Sequence, residues 1–244
     1  MCGVIGFERN AVTEKDLTLV RNLFVQSMIR GKHATGVTYF NGKELRTIKE
    51  PIPADEFIAK HDPSEWVYTN DMDGIDALCF IGHIRYSTSD LRYNQPFQGK
   101  QEESHVAIAH NGVLSQESVD TWDYETETAN DSEMILRCLE SGQHPLEMFA
   151  DKSMAVTAIH TGTRAEYNDA PYAYLTGFRN HERPLWFVRE NGLIFSSTSD
   201  ILVRSGIKDG IQRTEPFVQY TRGGIQRNWH PMHLGTQEPK DLQP

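Results

Sequence analysis

A cysteine stands second in the sequence, and its chemistry depends on whether the residue before it is kept. Once Met1 is removed, Cys2 carries a thiol and a free α-amine on one carbon skeleton. The amine, with an ordinary pKa of about 7.7–8.0, can accept the proton of a thiol whose pKa is ~8.5, directly or through one water. Cys2 is therefore a candidate nucleophile that supplies its own base. Its alternative role is that of a small buried apolar residue at the start of a strand.

Three further segments carry residue types that bind or activate a small amide. Arg85 ends an apolar run, where its guanidinium can bind a carboxylate through two parallel hydrogen bonds. Asn111 and Gly112 offer a side-chain amide and a backbone N–H as donors to an oxyanion. Asp131 can pair with a substrate ammonium. Each group also has an ordinary structural role: a strand-end ion pair for Arg85, an Asn-Gly turn, and helix-end electrostatics for Asp131.

Capping signatures and helical spacing predict the helices that would hold these groups. Thr13 and Asp16 form an N-cap signature ahead of an amphipathic helix over 14–29. The sequence Asn-Asp-Ser-Glu at 130–133 is a capping box ahead of a second helix, and a third helix is predicted over 199–205. The predicted buried face of the second helix consists of Met134, Ile135, Cys138 and Leu139.

Runs of β-favouring residues predict many strands, and Asn-Gly pairs at 41–42 and 111–112 predict tight turns after two of them. Residues 50–76 are acidic and contain three prolines, which predicts a loop-rich excursion with one short helix. Stacked sheets flanked by helices are expected in one domain over 1–227, followed by a polar tail over 228–244. The predicted strands cover 2–8, 35–40, 45–48, 77–86, 104–110, 154–159, 172–176, 185–188, 193–197 and 217–220.

Composition excludes several classes of protein. The 244 residues are 38% hydrophobic and 24% charged, which is typical of a globular protein with a full core. A formal net charge of −10 argues against nucleic acid and anionic lipid membranes as partners, because their phosphates attract a basic surface. No apolar run reaches the ~18 residues that a membrane helix needs. The N-terminus lacks the basic segment of a signal peptide and the three cysteines form no disulfide framework, so a cytoplasmic location is expected.

Together these segments resemble the glutaminase domain of the class II (N-terminal nucleophile) glutamine amidotransferases. The resemblance runs in order from Cys2 to about Tyr220, and its wording is most similar to the amidophosphoribosyltransferase branch of that family. One departure is His33, which stands where the family has Asp in the loop after Arg30. The motifs that carry the resemblance are Met1-Cys2-Gly3-Val4-Ile5-Gly6, Gly82-His83-Ile84-Arg85-Tyr86-Ser87-Thr88, Asn94-Gln95-Pro96-Phe97, Ala109-His110-Asn111-Gly112, Asp131-Ser132-Glu133 and Ser197-Thr198-Ser199-Asp200.

The resemblance implies an α+β fold of four layers, the αββα sandwich of N-terminal-nucleophile hydrolases, and L-glutamine as substrate. It implies that Cys2 attacks the side-chain amide with its own α-amine as base. Asn111 and Gly112 would bind the oxyanion. Arg85 would hold the α-carboxylate of glutamine and Asp131 its α-ammonium.

Further residues acquire supporting roles through the same resemblance. Thr88 would line the glutamine site, and Arg30 would support the N-terminus. Tyr86 and His110 are expected to support the catalytic groups. Tyr86 and residues 87–97 are also expected to form a segment that closes over the bound substrate.

The leading interpretation is a glutaminase that releases glutamate and ammonia for a separate synthase or transferase. The alternatives are an N-terminal-cysteine amide hydrolase acting on a γ-glutamyl compound, and a catalytically silent regulatory protein with this fold. No metal or cofactor is expected, because His230 and His233 are interpreted as exposed tail residues rather than metal ligands. The presence or absence of Met1 distinguishes the two hydrolases from the catalytically silent protein, since only a chain without Met1 has its free amine on Cys2.

Overall fold

Two antiparallel β-sheets packed face to face form the centre of the structure, and helices cover both outer faces. Met1, Thr88 and the predicted tail over 228–244 lie outside the residues that the structure describes. The computed structural model describes residues 2–70, 74–86, 90–101, 104–164 and 170–226.

The secondary structure of the described residues is dominated by strands. The strands are β1 (Gly3–Asn10), β2 (Ala34–Phe40), β3 (Leu45–Glu50), β4 (Tyr68–Thr69), β5 (Asp76–Arg85), β6 (Phe97–Gln101), β7 (Ser104–Val113), β8 (Ser153–Arg164), β9 (Ala170–Arg179), β10 (Trp186–Val188), β11 (Gly192–Ser196), β12 (Gln212–Arg213), β13 (Gln219–Thr221) and β14 (Gly224–Gln226). The helices are α1 (Glu14–Ser27), α2 (Ala54–Lys60), α3 (Glu133–Glu140), α4 (Pro145–Met148) and α5 (Ser199–Arg204). Short 3-10 turns cover Pro63–Trp66, Leu91–Tyr93 and Val119–Thr121.

The strands divide into two sheets with no parallel pairing among the registers of the described residues. The first sheet has the order β12-β10-β11-β1-β5-β2-β3, with β4 paired to β5. The second sheet has the order β14-β13-β9-β8-β7-β6. In the part of the chain that the structure describes, no helix is long and apolar enough to cross a membrane.

Alternation of side chains along the strands separates the apolar residues into three buried layers. In β1, Ile5 and Phe7 pack beneath α1, α2 and α5, whereas Val4 lies between the two sheets. Ala107 and Ala109 of β7 lie between the sheets as well, and the other face of β7 packs against α3 and α4. Helices, sheet, sheet and helices therefore follow one another, which confirms the predicted α+β, four-layer αββα arrangement.

Helix α1 begins where the sequence predicts. The Thr13 backbone N–H donates to Asp16 Oδ2 at 2.8 Å, so a buried carboxylate holds the first turn. The predicted buried face of α3 is also confirmed, because its four apolar residues lie in the layer outside the second sheet.

The capping box predicted at the start of α3 is wrong. Asn130 Oδ1 does accept the Ser132 backbone N–H at 3.0 Å, but the Glu133 carboxylate turns away from Asn130. It accepts the backbone N–H groups of residues 127 and 128, each at 2.8 Å, and pairs with Arg137 at 2.7 Å. Glu133 therefore anchors the preceding loop, a tertiary role that a local motif does not encode.

The predicted β2–β3 hairpin is confirmed, but its connection is longer than the two residues predicted, and the turn predicted at Asn111-Gly112 is wrong. The β2–β3 connection is four residues long, since Asn41 Oδ1 accepts the N–H groups of Lys43 at 3.0 Å and Glu44 at 2.9 Å and widens the turn. Asn111 and Gly112 form no turn at all. They continue β7 and pair with β8, because the long neighbouring strand supplies partners beyond the point where local propensity favours a reversal.

Candidate active site

Cys2 lies next to Arg85 at the end of the first sheet where β1 begins and β5 ends, and this strand end forms one edge of the sandwich. Gly3 pairs with Ile84 across β1 and β5, and the next step in this register places Cys2 opposite Arg85. Cys2 follows the same alternation as Val4, which faces the second sheet, and it is partly exposed. The candidate nucleophile and the candidate carboxylate-binding residue thus share one edge of the sandwich.

Contacts between the sheets bring this edge toward the end of β7. Glu8 Oε2 accepts the backbone N–H of Leu175 at 2.9 Å, and Thr157 Oγ1 donates to Ile5 O at 3.3 Å. From the first contact to the second, the position on β1 moves toward the start of that strand. On the second sheet, the pairing registers carry the matching position toward the end of β7. Cys2 therefore lies at the edge where β7 ends.

Asn111 brings an unpaired donor to this edge. It is only 2% exposed, and it follows the alternation of Ala107 and Ala109, which face the first sheet. Its Nδ2 atom is buried and has no hydrogen-bond partner among the described residues. A buried N–H group without a partner is costly to folding, and such groups concentrate where a ligand supplies the partner. The arrangement suits an oxyanion.

Gly112 allows an unusually close approach of β7 to β8. A Cβ atom at this position would lie 1.8 Å from Ser153 O and 2.4 Å from His110 Nε2. Both distances are far below van der Waals contact, so only glycine fits without a shift of the backbone. The side chain at 112 is excluded by strand pairing, whatever the chemistry of the site.

Arg85 is held by polar and aromatic neighbours. Its Nη1 donates to Asn94 Oδ1 at 2.9 Å, and its guanidinium lies 6.0 Å from the centre of the Tyr93 ring. Burial lowers the pKa of Arg85, and the nearby Cys2 thiol opposes this shift. A partly buried guanidinium in such a place gains most from an anionic partner.

Asp131 is fixed by the backbone that follows β7. Its Oδ2 accepts the N–H groups of Leu114 at 2.6 Å and Ser115 at 3.1 Å. Both hydrogen bonds fall on the same carboxylate oxygen. Asp131 thereby keeps a set orientation with Oδ1 as its second acceptor.

A cavity of about 620 Å³ joins Arg85 and Asp131. Tyr93 and Asn130 line it beside these two charged groups, and Trp122 closes another side. A cation and an anion in one cavity match the two charges of an α-amino acid.

Two arginines flank the N-terminus. Arg30 Nε donates to Cys2 O at 3.4 Å, and Arg183 Nε donates to Ser153 Oγ at 2.7 Å. Burial lowers the pKa of Arg30, Cys2 opposes the shift and the Arg183 charge adds to it, so the two guanidinium groups lie within electrostatic range. The sequence analysis assigned Arg30 to this place but gave Arg183 no role.

The remaining predicted residues occupy different positions. Tyr86 is 60% exposed beside Arg85, and its ring contacts the His33 ring at 5.5 Å between centres. Thr88 lies outside the described residues. His110 is buried behind Asn111 rather than beside the cavity, and it bonds to Ser132, which sequence reasoning did not assign. Among the residues that the structure describes, no group of His, Cys, Asp and Glu is arranged to hold a metal ion.

Comparison with known proteins adds a family and a fold. Residues 1–159 match the model of the family described as glutamine amidotransferases class-II. The chain is 24% identical over 147 residues to an amidophosphoribosyltransferase of Methanothermobacter thermautotrophicus, a match that covers 57% of this chain and 29% of that protein. The alignment therefore spans less than a third of the relative.

Two solved structures share the fold over most of the chain. The glutamine phosphoribosylpyrophosphate amidotransferase of B. subtilis, solved with ADP and GMP, has a TM-score of 0.62 at 17% identity. A structure described as the allosteric regulatory enzyme of purine biosynthesis has a TM-score of 0.61 at 17% identity. Each match covers 92% of this chain and 48% of the other, so the chain spans about half the length of these proteins.

The Gly112 contact yields a prediction for stability. Gly112→Ala should lower the free energy of unfolding by about 1–3 kcal/mol or more, since the added methyl group meets the backbone carbonyl of Ser153. Gly223→Ala is the matched control, because the only neighbour there is Thr221 Oγ1 at 3.9 Å. Urea denaturation of the two variants and the parent measures the effect. Equal midpoints for both variants would contradict the close approach of β7 to β8.

Proposed function

Because the chain belongs to the class-II glutamine amidotransferases, we propose that it hydrolyses the side-chain amide of L-glutamine at Cys2. The observation that carries the proposal is the buried, unpartnered Asn111 Nδ2 at the same edge of the sandwich as Cys2. The cavity that joins Arg85 and Asp131 supports an α-amino acid as the substrate.

The first step of the proposed mechanism is proton transfer within one residue. Removal of Met1 leaves the α-amine on Cys2, and this amine takes the thiol proton. The thiolate attacks the amide carbon of glutamine, and the amide oxygen becomes an oxyanion. Asn111 Nδ2 and the Gly112 backbone N–H donate to that oxygen, which lowers the barrier because both donors are already in place.

The second half of the reaction returns the proton. The protonated α-amine donates it to the departing nitrogen, the C–N bond breaks, and ammonia leaves a glutamyl thioester on Cys2. Water, deprotonated by the same amine, attacks the thioester carbon and releases glutamate. The thiol and the free amine are regenerated, so the cycle needs no cofactor for its proton transfers.

Binding of the α-amino acid group aligns the amide with Cys2. Arg85 binds the α-carboxylate, and Asp131 Oδ1 binds the α-ammonium while Oδ2 stays on the backbone. Arg30 and Arg183 contribute positive charge near the N-terminus. Charged partners at both ends of a short substrate give orientation as well as affinity.

We also propose that a separate amination partner consumes the ammonia. Free ammonia is protonated in neutral water and then is no longer a nucleophile, so an acceptor site has to lie close by. Tyr86 and Leu91, 60% and 43% exposed, offer apolar surface beside Arg85 for such a partner. Glutamine hydrolysis by the chain alone should be slow and should rise on addition of the partner. Equal rates of glutamine hydrolysis with and without the partner would instead indicate a stand-alone hydrolase.

The identity of the nucleophile is tested by freeing the Cys2 amine. Protein made as a fusion, cleaved directly before Cys2, should release glutamate from glutamine only after cleavage, because the blocked amine cannot take the thiol proton. Cys2→Ala should abolish turnover, and Cys138→Ala, which removes a buried thiol of α3, should retain it. Glutamate release by the uncleaved fusion or by Cys2→Ala would disprove the mechanism.

The substrate-binding residues predict a change in KM. Arg85→Lys and Asp131→Asn should raise KM for glutamine by roughly 10- to 100-fold, since each removes about 1.5–3 kcal/mol of charge-assisted hydrogen bonding. Arg92→Lys is the matched control, because Arg92 is exposed and pairs with Asp90 outside the cavity. Steady-state kinetics of glutamate release measures the effect. An unchanged KM in both cavity variants would show that the cavity does not bind the substrate.

A further inference from the structure

One short segment contacts Arg85 and the chain neighbours of Asp131 and Asn111, the three side chains that the proposed mechanism assigns to the substrate. Residues 93–95 connect the 3-10 turn at Leu91–Tyr93 to β6. Tyr93 O accepts Asn130 Nδ2 at 2.6 Å, and Asn94 Oδ1 accepts Arg85 Nη1 at 2.9 Å. The segment therefore touches the loop that holds the ammonium site and the guanidinium that holds the carboxylate.

The segment is itself fixed against the first sheet. A Cβ atom on Gly36 of β2 would lie 2.1 Å from Gln95 O, so the backbones of β2 and the segment are in direct contact. Lys49 Nζ of β3 donates to Asn94 O at 3.1 Å. Neighbouring strands thus hold residues 94 and 95 from below, and the segment can act as a rigid support.

Gln95 uses both ends of its side-chain amide to reach the second sheet. Its Oε1 accepts the His110 backbone N–H at 2.6 Å, and its Nε2 donates to Ser132 Oγ at 3.0 Å. The pairing of β6 with β7 ends at Phe97 and Ile108. Beyond that pair, the side-chain carbonyl of Gln95 replaces a backbone acceptor and binds the His110 N–H of β7. Gln95 is 4% exposed, and replacing it leaves polar groups buried without partners.

A second contact closes the network. Ser132 Oγ lies 2.8 Å from His110 Nδ1, and His110 Nε2 lies 3.3 Å from Ser153 O. Burial lowers the pKa of His110 to about 4, and the Asp131 charge opposes that shift, so the imidazole is neutral at pH 7. Ser132 then accepts from Gln95 and donates to Nδ1, while Nε2–H donates to Ser153. Every donor in this chain has one acceptor.

The network lies directly behind the two groups that would contact glutamine. His110 precedes Asn111, the oxyanion donor, and Ser132 follows Asp131, the ammonium acceptor. We propose that Gln95 is a positioning residue that holds Asn111 and Asp131 at a fixed separation through His110 and Ser132. The proposal rests on the proposed function, since it assigns Gln95 to the glutaminase reaction. It accounts for the burial of a glutamine amide that does not line the cavity of Arg85 and Asp131.

The role predicts an effect on both kinetic parameters. Gln95→Leu removes both hydrogen bonds at similar volume, so kcat should fall about 10- to 100-fold through Asn111 and KM should rise through Asp131, as expected for a displacement of about 1 Å. Gln98→Leu is the matched control, because Gln98 is exposed on β6 and its side-chain carbonyl accepts a hydrogen bond from Thr47, outside the Gln95 network. It should leave kcat and KM at the parent values.

A double-mutant comparison separates positioning from general damage to the fold. If Gln95 acts through Asn111, then Gln95→Leu combined with Asn111→Ala should have nearly the kcat of Asn111→Ala alone. If the fall in kcat of the double variant equals the product of the falls in the two single variants, Gln95 acts elsewhere and the proposal is overturned. Ser132→Ala should mainly raise KM, because it breaks the link from Gln95 to the residue after Asp131 and leaves the Gln95 bond to the His110 N–H in place.

Hydrogen exchange tests the network without relying on turnover. The His110 amide should exchange about tenfold or more faster in Gln95→Leu and at the parent rate in Gln98→Leu, since only the first variant removes its acceptor. Parent activity with unchanged kinetics in Gln95→Leu would overturn the positioning role and leave the glutaminase function intact. Absence of glutamine hydrolysis in the parent whose Cys2 amine is free would overturn the function. An unchanged exchange rate of the His110 amide in Gln95→Leu would overturn the network as well.

Discussion

The close packing of two antiparallel sheets is the constraint on which the site depends. Small residues on the inner faces let the sheets approach: a Cβ atom on Gly177 would lie 2.5 Å from the Phe195 ring, and one on Gly6 would lie 3.0 Å from Leu175. Two hydrogen bonds that cross the interface, from Leu175 to Glu8 and from Thr157 to Ile5, fix the relative position of the sheets. Because strands are stiff, this alignment places the start of β1 beside the end of β7, and with them the candidate nucleophile Cys2 and the candidate oxyanion donor Asn111.

The sequence was sufficient for the features that depend on local pattern. Apolar, β-favouring runs placed Cys2 and Arg85 at strand ends, and helical spacing predicted α1 and the buried face of α3. Local sequence patterns failed where pairing with a distant strand determines the backbone conformation. Asn111 and Gly112 favour a turn in isolation, yet pairing with β8 draws them into β7. Sequence patterns therefore singled out Asn111 and Gly112 as candidate oxyanion donors but predicted the wrong backbone conformation for them.

Long-range polar contacts were beyond a local analysis for the same reason. Gln95 binds His110 and Ser132, partners 15 and 37 residues away along the chain. Arg183 approaches the site through Ser153, 30 residues before it. Neither residue sits in a pattern whose period indicates a site, and each is recognised only when burial and hydrogen bonding are known. The candidate site is thus a set of strand-end groups held by a buried polar network, and the buried Asn111 Nδ2 has no hydrogen-bond partner among the described residues.

Covalent labelling with a glutamine analogue tests the central claim, that Cys2 reacts with a glutamine side chain held at this edge. In an analogue with a diazoketone in place of the amide, the diazo carbon takes the thiol proton, and the thiolate then forms a C–S bond to that carbon as N2 leaves. Peptide mass mapping of the protein without Met1 should find one adduct per chain, on Cys2, and excess glutamine should prevent it. The buried thiols of Cys79 and Cys138 serve as internal controls and should stay unmodified. Labelling of either buried cysteine at the rate of Cys2, or labelling of Cys2 that glutamine does not slow, would contradict the account.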